Sequence, residues 1–189
     1  TEPNEAASFL TLARHDGQWL AADESVGMAV APSLTAAAER GRLGYLLQSA
    51  DARPLTTELC QLVVQALTQA YYDMGEDIAE ALQQALLAAN EALFDHNVRA
   101  DADSRLLLGV ACVVVLNGRI HLARLGPACA WIAGGEGAAA FPSHSLWYTL
   151  AAGPSLDAIS PEPPLGLRLD VTPERNEIAV PAAGCVAAL

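Results

Sequence analysis

The stretch from Leu106 to Gly137 constrains the fold more than any other part of the chain. From Leu106 to Leu116 it is an almost unbroken apolar run with valine at four positions, a composition that favours a buried strand over a helix. Asn117-Gly118 follows, the pair best suited to the positive φ angles of a tight hairpin turn. A second strand is predicted next, with Ile120, Leu122 and Arg124 on one side and His121, Ala123 and Leu125 on the other, ending at Gly126-Pro127. A third, Ala128 to Ala133, ends at Gly134-Gly135. Three such strands form a meander that something apolar must cover on at least one face.

Two helices precede the meander. Pro54 suits the approach to a first helical turn, and Leu59, Leu62, Val63, Ala66, Leu67 and Ala70 then recur at three- and four-residue spacing as far as Tyr71, one apolar stripe. Gly75 breaks this helix. Asp77, with Glu80 three residues on, has the pattern of a capping box, and Ile78, Leu82, Leu86, Ala89 and Leu93 mark the buried face of a second helix up to His96-Asn97. Arg99 to Arg105 reads as a polar linker.

Earlier still, Ser8 to Arg14 and Gln18 to Ala22 read as strands around a turn at Asp16-Gly17. Val26 to Ala31 and Leu43 to Leu47 read as further strands, separated by a loop or short helical turn over Thr35 to Gly41. After Gly137, Phe141 to Leu150 reads as a short strand and turn, and Ala151 to Pro164 is rich in proline and reads as loop. Leu167 to Val171, Glu177 to Val180 and Cys185 to Leu189 read as closing strands. The order implies an α+β fold in which an antiparallel helix hairpin covers antiparallel sheet.

At 189 residues, 52% hydrophobic and 17% charged, the chain can bury a sizeable core as a single domain over 1–189, which excludes general disorder. Its net charge of −12, with every basic residue an arginine, argues against nucleic acid and anionic membrane as partners. No stretch approaches the roughly 18 uninterrupted apolar residues of a membrane span. The start, TEPNEAAS, lacks the basic and apolar regions of a signal peptide, so a cytoplasmic protein is expected. Cys60, Cys112, Cys129 and Cys185 show no C-x-x-C spacing and are expected to be reduced thiols, mostly buried.

Familiar catalytic motifs are few. There is no phosphate-binding G-x-x-x-x-G-K-[ST] loop. His15, His96, His121 and His144 have no metal-ligand spacing, and Ser143-His144-Ser145 lacks a G-x-S-x-G elbow. Of the acidic residues, only Glu24 and Asp51 follow strand-like segments in a way that lets them converge.

Several phrases nevertheless resemble a known family: Gly44 to Asp51 leading into Pro54 to Tyr72, Ala88-Ala89-Asn90-Glu91-Ala92-Leu93, the hairpin Asn117 to Gly126, Ser143-His144-Ser145-Leu146, and Pro164-Leu165-Gly166. Together they resemble the metal-dependent protein serine/threonine phosphatases of the PPM type (phosphatase 2C), most closely the compact bacterial members, over nearly the whole length. The resemblance implies two packed antiparallel β-sheets flanked by antiparallel helix pairs, a four-layer αββα sandwich.

The family's chemistry-bearing phrases have decayed in this sequence. Where the family has an arginine followed by a Glu-Asp pair, counting from Gly17 gives Leu20, Glu24 and Ser25. The Asp-Gly-(His or Met)-Gly turn is here Asp51-Ala52-Arg53-Pro54, and the Gly-Thr-Thr at the head of the meander falls around Leu107-Leu108-Gly109. Gly-Asp-Ser-Arg has become Gly126-Pro127-Ala128-Cys129. The strand Cys185 to Leu189 matches the one before the family's Ser-Asp-Gly motif, which leaves two readings open: a domain truncated at its C-terminal end, or one that lacks the family's last metal-binding segment.

Hard divalent cations need several oxygen ligands in fixed geometry, and Glu24 and Asp51 are the only vestigial candidates. The expectation is therefore a pseudophosphatase with no catalytic residue and no metal cofactor. It would act as a regulatory or protein-binding module in signalling, with a protein partner and homo-oligomerisation both open. Leu20, Ala52, Pro127, Ala128 and Cys129 would either make the former site an apolar docking face or close it as core. The alternative is a residual Mn- or Mg-dependent phosphatase that uses Glu24 and Asp51 with further ligands beyond Leu189.

Overall fold

The computed structural model describes residues 13–15, 18–20, 24–51, 53–73, 75, 77–134, 137–141, 163–180 and 185–189. In chain order the elements are β1 (Ala13–His15), β2 (Gln18–Leu20), β3 (Val26–Met28), α1 (Leu34–Arg40), β4 (Leu43–Ser49), α2 (Thr57–Asp73) and α3 (Ile78–Arg99). After a single 3₁₀ turn at Ala102–Ser104 come β5 (Leu108–Leu116), β6 (Arg119–Leu125), β7 (Ala130–Gly134), β8 (Gly137–Phe141), β9 (Glu174–Ala179) and β10 (Cys185–Ala188). The strands form a β1-β2 hairpin, a five-stranded sheet ordered β3-β4-β5-β6-β9 and a three-stranded sheet ordered β10-β7-β8. Every pairing is antiparallel.

The long apolar run has a direct explanation, because β5 is buried on both faces. Leu108, Val110, Cys112 and Val114 point to a core shared with α2 and α3. Val113 on the other face packs with Ile120, Leu122, Ala130 and Phe141 between the two sheets. The turn from β5 to β6 has φ of 51° at Asn117 and 70° at Gly118, the left-handed pair that the sequence predicts. β6 alternates as expected, with Ala123 and Leu125 toward the helices and Ile120 and Leu122 toward the second sheet.

The meander, however, stops after two strands. β7 does not pair with β6 but crosses to the second sheet, between β10 and β8. Gly126 turns with φ of 72°, and the Pro127–Ala128 peptide then passes over Gly109, where a Cβ would lie 2.5 Å from the Pro127 carbonyl. Buried Arg124 braces this crossover, donating from Nη1 to the carbonyls of Gly126 (3.0 Å) and Ala128 (3.2 Å) and from Nη2 to Glu174 Oε1 (2.7 Å).

The helix hairpin is present, with Asp77 Oδ1 accepting from the backbone N–H of Ala79 and Glu80. Leu59, Val63, Leu67 and Tyr71 form the buried stripe of α2, whereas Leu62 is exposed. Thr35 to Gly41 is largely helical, because Ser33 Oγ caps the N-terminus of α1 by accepting from Ala36 N–H at 3.0 Å.

The strand expected at Leu167–Val171 is not one. Leu165 makes an isolated bridge to Leu108, and the backbone beyond it bonds to helix side chains instead of a ladder. Asn90 Nδ2 donates to the Arg168 carbonyl (2.9 Å), and its Oδ1 accepts from Gly166 N–H (3.0 Å). Asn97 Nδ2 donates to the carbonyls of Leu106 and Gly166, and its Oδ1 accepts from Leu106 N–H. Among the described residues one helix pair covers one sheet. The readings over Asp16-Gly17, Ser143 to Leu146 and Ala151 to Glu162 lie outside them.

Candidate functional site

Strand register brings most of the candidate positions to one end of the five-stranded sheet. Ser25 accepts from Leu47 N–H through its carbonyl at 2.6 Å, and Ala50 N–H donates to the Leu107 carbonyl at 2.8 Å. Ser49 pairs with Leu108, and Val110 with Leu125. The turn after β4 (Asp51), the turn before β3 (Glu24, Ser25) and the crossover after β6 (Pro127 to Cys129) are therefore neighbours. Leu20 ends β2 in the separate hairpin, with its side chain outside the described set, and Ala52 is also outside it.

The two acids at this end are bound to different neighbours. Glu24 is exposed, and its Oε1 accepts from Gln61 Nε2 at 3.5 Å. Asp51 Oδ1 accepts from Ser49 Oγ at 2.8 Å, and Oδ2 lies 2.6 Å from both Nε and Nη2 of Arg53. The Arg53 hydrogen bond and then the Ser49 hydroxyl hold the Asp51 carboxyl down at about 2. The same guanidinium donates to the Asp103 carbonyl at 2.8 Å and to the Arg105 carbonyl. One side chain thus ties the β4 turn to the 3₁₀ linker and neutralises the acid beside it. This arrangement was not read from the sequence, although the arginine two residues after Asp51 was its visible sign.

Pro127 and Ala128 are buried, and Cys129 is half-buried. The first two close the sheet end as core and supply no exposed apolar surface.

Solved structures resemble this arrangement. A serine/threonine phosphatase from Staphylococcus aureus superposes with a TM-score of 0.64 at 11% identity, over 89% of this chain and 69% of that one. The fold is that of the PPM-type phosphatases. A second PPM-like structure, the S. agalactiae serine/threonine phosphatase, has a TM-score of 0.64 at 14% identity over 94% and 76% of the two chains. The catalytic domain of the phosphatase PstP, solved with two manganese ions, gives 0.53 at 18% identity over 85% and 69%. No protein-family model and no curated protein matches the sequence.

A phosphatase 2C-like fold implies a pair of divalent cations at this sheet end. Among the described residues no three His, Cys, Asp or Glu side chains gather closely enough to hold an ion. The one carboxylate in the Asp51 turn already faces an arginine. The described donor set does not fit a two-cation centre. Among the described residues no helix is long and apolar enough to cross a membrane.

Proposed function

We propose that this chain is a catalytically inactive phosphatase 2C-like domain, a pseudophosphatase that works by binding protein in a signalling context and needs no metal cofactor. The observation that carries this reading is the bond of Asp51 to Arg53. In the resemblance, the position of Asp51 is where a carboxylate bridges two cations. Here a guanidinium from the same turn supplies the positive charge, fixed by two further carbonyls. A cation arriving at Asp51 would have to displace a bonded arginine and would meet too few other oxygen ligands.

The test is p-nitrophenyl phosphate hydrolysis by the purified chain with Mn²⁺ or Mg²⁺. The expected rate is indistinguishable from buffer with the same ions. Metal-dependent turnover that disappears in Asp51→Asn would replace this reading with that of a residual phosphatase.

A further inference from the structure

The two edges of the five-stranded sheet are built differently. β9, at one edge, carries Glu174, Arg175 and Glu177, and Glu174 and Glu177 pair with Arg124 and Arg119 of the neighbouring strand. Charges of this kind keep an open edge from pairing with another chain. β3, at the other edge, reads VGM and carries neither charge nor proline. Its bonds to β4 run through Ser25 and Ala29: Leu47 N–H donates to the Ser25 carbonyl at 2.6 Å, and Ala29 N–H to the Leu43 carbonyl at 2.8 Å. Strand alternation therefore points the backbone N–H and C=O of Val26 and Met28 away from β4, and β3 is the terminal strand of its sheet among the described residues.

α2 runs alongside this edge, from Gln61, 3.5 Å from Glu24, to Tyr72, whose hydroxyl donates to the Gly41 carbonyl at 3.2 Å. The β3 positions beneath it are small: Ser25, Gly27 and Ala29 stand opposite Leu47, Tyr45 and Leu43, which belong to the helix-side core. Between α2 and the segment from Val30 to Pro32 lies an open groove of about 590 Å³. Half-buried Val64 and Tyr72 and the 86% exposed Val30 give it apolar surface, and Gln61, Gln65 and Gln69 give it a wall of exposed amides. Its two ends differ in charge. Asp73 at the far end is offset by Arg40 and Arg42, which lie near enough to Tyr72 to act on its hydroxyl. At the near end stand Glu24 and, three residues before Gln61 on the same helical stripe, Glu58. Both are exposed, and among the described residues neither is in an ion pair.

We propose that an extended segment of a partner protein, apolar at alternate positions and basic at its carboxyl end, adds to β3 as a further antiparallel strand. Val26 and Met28 exchange N–H and C=O with it, the side chains on its helix-facing side enter the groove past Gly27, and its basic end lies against Glu24 and Glu58. Main-chain bonds supply affinity and the groove supplies specificity, as in other cases of strand addition. Charge selects the occupant: a chain of net charge −12 repels a second copy of itself and attracts a basic segment. A helix laid in the groove would leave the outward N–H and C=O groups of β3 unused, whereas a strand bonds to them. From Glu24 to Val30 the edge is roughly 20 Å long, enough for about seven residues of strand. This inference rests on the protein-binding half of the function proposed above and not on the loss of catalysis.

The test is fluorescence anisotropy of a labelled Thr-Val-Thr-Val-Thr-Arg-Arg peptide, blocked at its carboxyl end as the amide, titrated with the 189-residue chain. Binding should saturate below about 1 mM, and a counterpart ending in Glu-Glu should bind about tenfold more weakly or worse. On addition of the basic peptide, hydrogen exchange should slow at the amides of Val26 and Met28 and stay as it was at Gly27. Met28→Pro removes an N–H that β4 does not use, so it should abolish binding with an unchanged circular dichroism spectrum. Glu24→Lys, at an exposed side chain, should weaken the basic peptide and strengthen the acidic one. No saturation by the basic peptide, equal binding of the two peptides, or binding that both variants retain overturns the proposal. So does a dimer in light scattering that Met28→Pro dissolves, which would give the edge to a second copy. Hydrolysis of p-nitrophenyl phosphate is read separately: an active chain that binds the peptide keeps this site, and an inert chain that does not bind loses it.

Discussion

Arg53 holds Asp51 at 2.6 Å with the guanidinium two residues along the same turn, and anchors that pair to the carbonyls of Asp103 and Arg105. The pair makes the turn self-sufficient in charge. With the folded pKa lowered from 3.8 to about 2, its contribution to stability is fully present above the ordinary carboxylate range and is lost as pH falls through about 2. A carbon-detected NMR titration of the Asp51 carboxyl should give a value near 2, and in Arg53→Ala it should move back toward 3.8.

Asn97 and Asn90 join α3 to the chain around Leu106 and Gly166. Replacing Asn97 by alanine leaves the Leu106 N–H and two carbonyls without their partner, so urea unfolding should show a loss of about 2 to 4 kcal/mol. Gly166→Ala should lose a similar amount. Its φ is +80°, and a Cβ there would sit 2.6 Å from both Asn97 Nδ2 and Leu93 Cγ.

Gly109 and Gly118 separate two reasons for glycine. At Gly109 a Cβ would strike the Pro127 carbonyl and the Ala128 nitrogen, whereas Gly118 has φ of +70° and open space around it. Gly118→Ala should lose about 1 kcal/mol from backbone strain alone. Gly109→Ala has to push the crossover off the sheet and should lose about 3 kcal/mol. Equal losses in chemical denaturation would mean that the crossover is not seated on Gly109.

Burial raises the Cys112 thiol far above its ordinary range, and Cys60 is buried within α2. At pH 8 neither should take up iodoacetamide in the native chain, and both should do so in urea. Peptide mapping by mass spectrometry reads this directly; rapid labelling of Cys112 without denaturant would place it outside the core.

Much of the fold was legible in residue spacing. The apolar run to Leu116, Asn117-Gly118 and the helix stripes each obey one local rule, and each produced the expected element. The misreadings occurred where a distant contact decides. β7 has the composition of a third meander strand, but φ at Gly126 and the seat offered by Gly109 send it to the other sheet. Leu167 to Val171 looks like a strand until Asn90 and Asn97 are seen to occupy neighbouring backbone groups. At the candidate site Glu24 and Asp51 could be picked out by resemblance, whereas Arg53 was visible only as a basic residue two positions after Asp51. Its role needed the carbonyls of Asp103 and Arg105, 50 and 52 residues along the chain, to be brought beside it.

The most direct test is a calorimetric titration of the folded chain with Mn²⁺ at neutral pH, beside Arg53→Gly. The Asp51–Arg53 pair predicts no saturable heat for the native chain at millimolar ion. Two Mn²⁺ ions bound at micromolar affinity, with both lost in Asp51→Asn, would contradict it.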